Sequence, residues 1–253
     1  MHLTTYFSLP PGVPRGSVVR EFLQRIFEEY RWFRPVRYGR ASLPGRLDPD
    51  RIDFDALVGL YERSCDITVT ARTDRDFLII FPSKADDPPF TGRITWATSS
   101  TEAKKPSWRA AHLRQVFEVM KLLGSPLAWA GVDSDLDAKQ QRRVPDPNGL
   151  SEFETHTVRD YSEGLAGVLW RNFFGPPFVR MFGERLATLP SELKQDLGDG
   201  IVLVQPYELP GQAGTPEGIE CERQIITHLG PECFYDHEHH IKPTRRPELP
   251  PVA

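Results

Sequence analysis

The chain has 253 residues, 39% of them hydrophobic, enough to build a core in one large domain or two small ones. Its 31 Lys and Arg against 35 Asp and Glu leave a formal charge of -4. That balance provides no general attraction to a phosphate backbone, so nucleic acid is not an expected partner. Three scattered cysteines, Cys65, Cys221 and Cys233, form neither a disulfide framework nor a C-x-x-C zinc pattern. No stretch approaches the roughly 20 apolar residues of a membrane helix, and the first residues lack the basic start and apolar run of a leader. These features point to a protein of a reducing cytoplasm with no membrane partner.

In chain order, Leu3, Thr5, Phe7 and Leu9 alternate with more polar neighbours, the period of a half-buried strand. In "GSVVREFLQRIFEEYRWF" the residues Val18, Val19, Phe22, Ile26, Phe27 and Tyr30 recur at helical spacing, with Ser17 as expected N-cap. A second helix is predicted over residues 51–64, with Phe54, Leu57, Val58 and Tyr61 on one face. "CDITVTARTDRDFLIIFPSK" reads as a hairpin whose turn holds Arg72, Asp74, Arg75 and Asp76, and "GRITWATSS" as the next strand. "SWRAAHLRQVFEVMKLLG" is a helix with Ser107 as expected N-cap and Gly124 as its stop.

"SPLAWAGVDSD" is a predicted strand that runs into the polar "DSDLDAKQQRRVPDPNG", the best candidate for an internal linker or surface loop. Beyond it the pattern predicts a strand in "LAGVLWRNFF", a helix in "PPFVRMFG", a helical turn in "PSELKQDLG", a strand in "GIVLVQPYEL" and a helix in "PEGIECERQIITHLG". Strands and helices mix without a βαβ cadence, so the expected class is α+β, a mixed and mostly antiparallel sheet with packed helices. The expected division is an N-terminal α+β half over residues 1–133, a polar linker or loop over 134–153, a C-terminal half over 154–236 and a polar tail over 237–253. In outline the halves are two similar α/β arrangements within one compact domain.

Catalytic templates are missing: there is no G-x-S-x-G, no P-loop, no H-E-x-x-H and no G-x-G-x-x-G. Cys65, with His112 or His228 as base, is outweighed by the reading of a structural thiol. "DHEHH" offers Asp236, His237, His239 and His240 as candidate ligands for a divalent metal. Their spacing in a proline-flanked tail favours a polar segment over a built site, so neither metal nor cofactor is expected. Lys104, Lys105 and Trp108 could hold phosphates or bases, but one such cluster in an acidic chain is weak grounds for nucleic acid.

"WRNFFGPPFVRMFG", followed about twenty residues later by "LGDGIVLVQPYELP", carries a further signal. An aromatic strand runs into a glycine turn, a short helix and then a strand after an Asp-Gly turn. Trp170, Gly175, Phe178, Phe182, Gly183, Asp199 and Gly200 hold that pattern. Over residues 160–235 it resembles the second half of type VI immunity-family proteins, the partner-neutralising members of bacterial polymorphic toxin systems. The resemblance implies a non-enzymatic protein that binds a cognate toxin. The acidic loops "DSDLDAK" and "SEFE" then become candidate contacts through Asp133, Asp135, Asp137, Glu152 and Glu154, complementary to a basic partner. The alternative is a metal-assisted hydrolase built on Asp236 and the three tail histidines.

Overall fold

The structure is a computed structural model that describes residues 1–73, 75–146, 148–149 and 151–251. It divides into two compact units, Met1–Ala128 and Trp129–Pro251, and the class is α+β.

In the first unit β1 (His2–Ser8) is followed by α1 (Gly16–Gln24), which widens into one π-helical turn over Arg25–Glu29. Next come β2 (Arg37–Gly39), β3 (Gly45–Arg46), α2 (Phe54–Ser64), β4 (Ile67–Thr70), β5 (Phe77–Phe81), β6 (Arg93–Ser99) and α3 (Pro106–Leu123). The strands pair in the order β1-β6-β5-β4-β2-β3, antiparallel at each step. Phe7 lies opposite Ile94 and Val69 opposite Leu78, all buried. The α1 residues Phe22 and Leu23 are fully buried, as are Val116 and Val119 of α3.

Helix starts depart from expectation. The N-cap of α1 is Arg15 and that of α3 is Lys105, neither with a side-chain cap, so Ser17 and Ser107 fall inside the first turns. In α3 the reason is Pro106, whose fixed φ and missing N–H suit a first helical position. α2 is capped conventionally, Asp53 accepting from Ala56 N at 2.9 Å. Gly124 ends α3 in the left-handed region at φ 62°.

β7 (Leu127–Val132) spans the division between the units. After it come α4 (Asp133–Gln140), β8 (Gln141–Pro145), β9 (Glu152–His156), β10 (Arg171–Phe174), α5 (Pro176–Phe182), α6 (Glu184–Thr188), β11 (Lys194–Gly198), β12 (Ile201–Val204) and α7 (Pro216–Leu229). Strands β11-β12-β10-β7 are neighbours in that order, while β8 and β9 form a ribbon of their own.

Within the polar stretch 134–153, residues up to Pro145 and from Glu152 fall in α4, β8 and β9. Asp133 and Asp135 sit in the first turn of α4, where the helix dipole favours carboxylates, and Lys139 sits in the last. "PSELKQDLG" ends in a strand instead of a helical turn. Asp199 (φ 53°) and Gly200 (φ 72°) make a two-residue turn of type I′ character that folds β11 onto β12. The strand expected across "LAGVLWRNFF" shortens to β10. Within β10, Asn172 accepts from Leu169 N and donates to Leu169 O and Val204 O, closing the turn that leads into the strand.

The aromatic run is core. Trp170, Phe173, Phe174, Phe178 and Phe182 are all buried, and Trp170 Nε1 donates to Glu208 O at 3.0 Å. Phe182 meets Phe174 edge-on at 5.0 Å and stacks near Phe234 at 6.1 Å. Gly175 precedes the proline-started α5, and Gly183, at φ 55°, lets the chain pass directly into α6. The resemblance-bearing residues are thus the ones that shape the second unit. The tail is also tied down: Lys242 pairs with Glu163 at 2.9 Å, and Thr244 and Arg245 amides donate to Glu232 O.

Candidate partner-binding surface

α4 sorts its three aspartates by helical phase. Asp137 is exposed and Asp133 half-buried, while Asp135 turns inward with only 10% of its side chain exposed. On the ribbon, Glu152 and Glu154 are exposed and share one face. Between them Phe153 shows the opposite face, where it is 50% exposed across from Val144. Arg143 lies across from Glu154 at 3.9 Å. Of the five acidic candidates, then, four lie at or near the surface of α4 and the ribbon, and the fifth belongs to a buried cluster.

In that cluster Lys139 Nζ lies 2.7 Å from Asp135 Oδ1, 2.7 Å from Glu222 Oε2 and 2.6 Å from Val168 O. These three acceptors match the three donors of an ammonium group. Tyr207 OH donates to the second Glu222 oxygen at 2.8 Å. Burial pushes the Glu222 carboxyl above the usual range, with Lys139 and Tyr207 pulling it partly back. Burial and the neighbouring carboxylate push the Tyr207 phenol up strongly, so Tyr207 is a fixed donor. Asp135 Oδ2 is buried without a hydrogen bond among the described residues. The arrangement clamps α4 against α7. A trace of it is legible in the sequence: Glu222 falls on the same helical stripe as Ile225 and Leu229, an acid where α7 is otherwise apolar. Glu220, two residues earlier, faces outward to Arg223 at 2.6 Å.

The tail histidines do not converge. His239 Nδ1 pairs with Asp236 Oδ2 at 2.8 Å, His237 Nε2 meets Ala166 O at 2.7 Å, and His240 Nδ1 is 3.4 Å from Tyr235 OH. Among the described residues no group of three or more His, Cys, Asp or Glu could hold a metal ion. The three cysteines lie apart in the fold. Cys65 ends α2 in a left-handed conformation, Cys221 donates to Pro206 O at 3.1 Å, and burial pushes Cys221 up and Cys233 up to about 11, away from thiolate chemistry. His112 is buried on Thr5 Oγ1 at 3.0 Å, and His228 Nε2 is 2.9 Å from Arg185 O.

Lys105 pairs with Glu102 at 3.0 Å, Arg109 in the first turn of α3 donates to Ala103 O at 2.9 Å, and Lys104 is exposed. In the β4–β5 turn, Asp76 accepts from Thr98 Oγ1 at 2.7 Å, and Asp74 lies outside the described residues. Among the described residues no helix is long and apolar enough to cross a membrane.

The geometry defines an α+β protein with a buried ionic clamp in its second unit and an acidic helix and ribbon beside it in sequence. No protein-family model matches the chain, and no curated protein matches it. Among solved structures it is similar to the Pseudomonas aeruginosa T6SS protein PA0821, with a TM-score of 0.57 and 14% identity, over 95% of this chain and 78% of that one. At that identity the likeness is one of fold.

Proposed function

We propose that this chain is a cytoplasmic, non-enzymatic immunity-type protein of a bacterial type VI secretion setting, which binds and neutralises a cognate toxin domain. The observation that carries the reading is the shared fold with a T6SS protein over 95% of the chain. The pattern of Trp170, Gly175, Phe178, Phe182, Gly183, Asp199 and Gly200 supports it, since those residues build the same part of the fold in which the family resemblance lies. An inhibitor needs a rigid scaffold and a complementary patch, with no reacting groups. The exposed Asp137, Glu152 and Glu154, with Asp133 at their margin, suit a basic patch on the toxin.

The test is co-purification with the protein encoded by the adjacent gene, followed by titration calorimetry. The expected result is a one-to-one complex that Glu152→Lys and Glu154→Lys weaken. A chain that binds neither its neighbour's product nor any toxin domain from its source cells overturns the reading.

A further inference from the structure

A cleft of about 740 Å³ opens in the first unit between the end of the π-helical turn, the β4–β5 turn, β6 and α3. That volume is in the range of small-molecule sites. Its walls combine aromatic and aliphatic side chains, including Trp32, Phe33, Val36, Trp96 and Trp108, with an equal share of polar and charged ones.

Two independent features of this cleft ask for a ligand. The first is the Trp96 indole. The residue is 2% exposed, and its Nε1 is buried without a hydrogen-bond partner among the described residues. A buried donor left unmet is costly. Its polar neighbours in the cleft are satisfied: Trp32 Nε1 donates to Gln115 Oε1 at 3.0 Å, and Tyr30 OH to Glu118 Oε2 at 2.5 Å. Trp96 stacks on Trp32 at 3.8 Å with 3° between the planes and lies against His112 at 5.5 Å. Both ring faces are thus covered, and Nε1 is the polar atom that this lining residue leaves unmet.

The second feature is Arg31. Its backbone stands at φ 53°, a region that costs a side-chain-bearing residue energy, and it sits between Tyr30 and Trp32 on the cleft lining. Arg34 and Arg72 line the cleft too. Arg34 is paired with Asp50 at 2.8 Å, whereas Arg31 and Arg72 are exposed and make no ion pair among the described residues. The acids of the lining are engaged, Asp76 with Thr98 and Glu102 with Lys105.

We propose that this cleft binds a small organic carboxylate, its apolar body against the aromatic wall and its carboxylate accepting from Trp96 Nε1 and from Arg31 and Arg72. A carboxylate fits the forked guanidinium donors and the single indole donor together. The aromatic part of the lining favours an anion with an apolar body over a bare, strongly hydrated one. None of the acidic residues proposed for toxin contact lines this cleft.

Benzoate is the probe, read by ¹H–¹⁵N spectra of the labelled full chain. Its five tryptophan indole signals are assigned by Trp→Phe variants. Benzoate is expected to move the Trp96 indole signal saturably, with benzyl alcohol and inorganic phosphate inert. Arg31→Gln and Arg72→Gln should each weaken benzoate about tenfold, the loss of one charge-assisted contact. Arg31→Gly, which relieves the left-handed backbone, should keep the melting temperature and still lose affinity. If Trp96→Phe does not fold, the other four Trp→Phe variants assign its signal by elimination and the two arginine variants carry the test. No saturable shift, an equal response to benzyl alcohol, or a response to phosphate alone overturns the proposal.

Discussion

Lys139 and Glu222 meet inside the second unit, Nζ to Oε2 at 2.7 Å, and this contact joins α4 to α7. Asp135 is the third member, so one ammonium stands between two carboxylates in a site from which water is largely excluded. Breaking such a pair from one side leaves buried charge without compensation, which costs more than the pair itself contributes.

Lys139→Met should therefore destabilise the protein by about 3–5 kcal/mol. Adding Glu222→Met and Asp135→Leu should recover much of that loss, since apolar replacement of a whole buried ionic group is often nearly neutral. Urea unfolding of the single and triple variants checks this. Equal losses in both would mean that packing rather than charge sets the cost.

Asp135 and Asp137 lie two residues apart on one helix and should behave oppositely. Asp137→Lys should leave the melting temperature unchanged and slow association with the proposed toxin partner, most visibly at low salt. Asp135→Ala should lower the melting temperature through the loss of a buried ion pair. Thermal melts beside surface plasmon resonance at two ionic strengths separate the two.

The β11–β12 turn needs φ above zero at Asp199 and Gly200. Gly200→Ala should cost about 1 kcal/mol from the left-handed backbone. Its Cβ would also touch Pro176 Cγ at 3.4 Å. Asp199→Gly should be neutral or mildly stabilising. Chemical denaturation of both variants reads the turn directly.

The hydrogen bond it donates to the Asp236 carboxylate raises the His239 imidazole above its ordinary 6.5, and the amide and imidazole of His239 hold Asp236 below its ordinary 3.8. A raised histidine contributes its stability fully below 6.5 and loses it as pH rises through the higher folded value. The depressed carboxylate contributes above 3.8 and loses its share as pH falls through the lower one. The pair should thus be intact across mildly acidic pH, its effect small because it is exposed. An NMR titration should place His239 above 6.5, and Asp236→Asn should return it to the ordinary range.

Much of the fold is readable in the chain itself. The alternation of Leu3, Thr5, Phe7 and Leu9, the 3.6-residue stripe through Phe22 and Ile26, and the 67–81 hairpin all appear where local periodicity places them, because burial of one face repeats with the backbone's own period. Asp199-Gly200 carries its turn by the backbone freedom of two residues. The acidic surface candidates were visible as charge, and the aromatic run as core.

Tertiary structure decided what local pattern cannot contain. β11 is a strand because β12 pairs with it, although "PSELKQDLG" carries no strand period of its own. Residues 134–145 fold as a helix and the first strand of a ribbon although their composition is that of a loop. Asp135 and Asp137 have the same chemistry in sequence and are separated only by which one finds Lys139 and the buried Glu222, whose α7 begins more than seventy residues later. Trp96 and Arg31 likewise share a cleft only after β6 and the π-helical turn are brought side by side. Local sequence sets backbone period and turn geometry, whereas desolvation and ion pairing depend on the groups that folding brings from far along the chain.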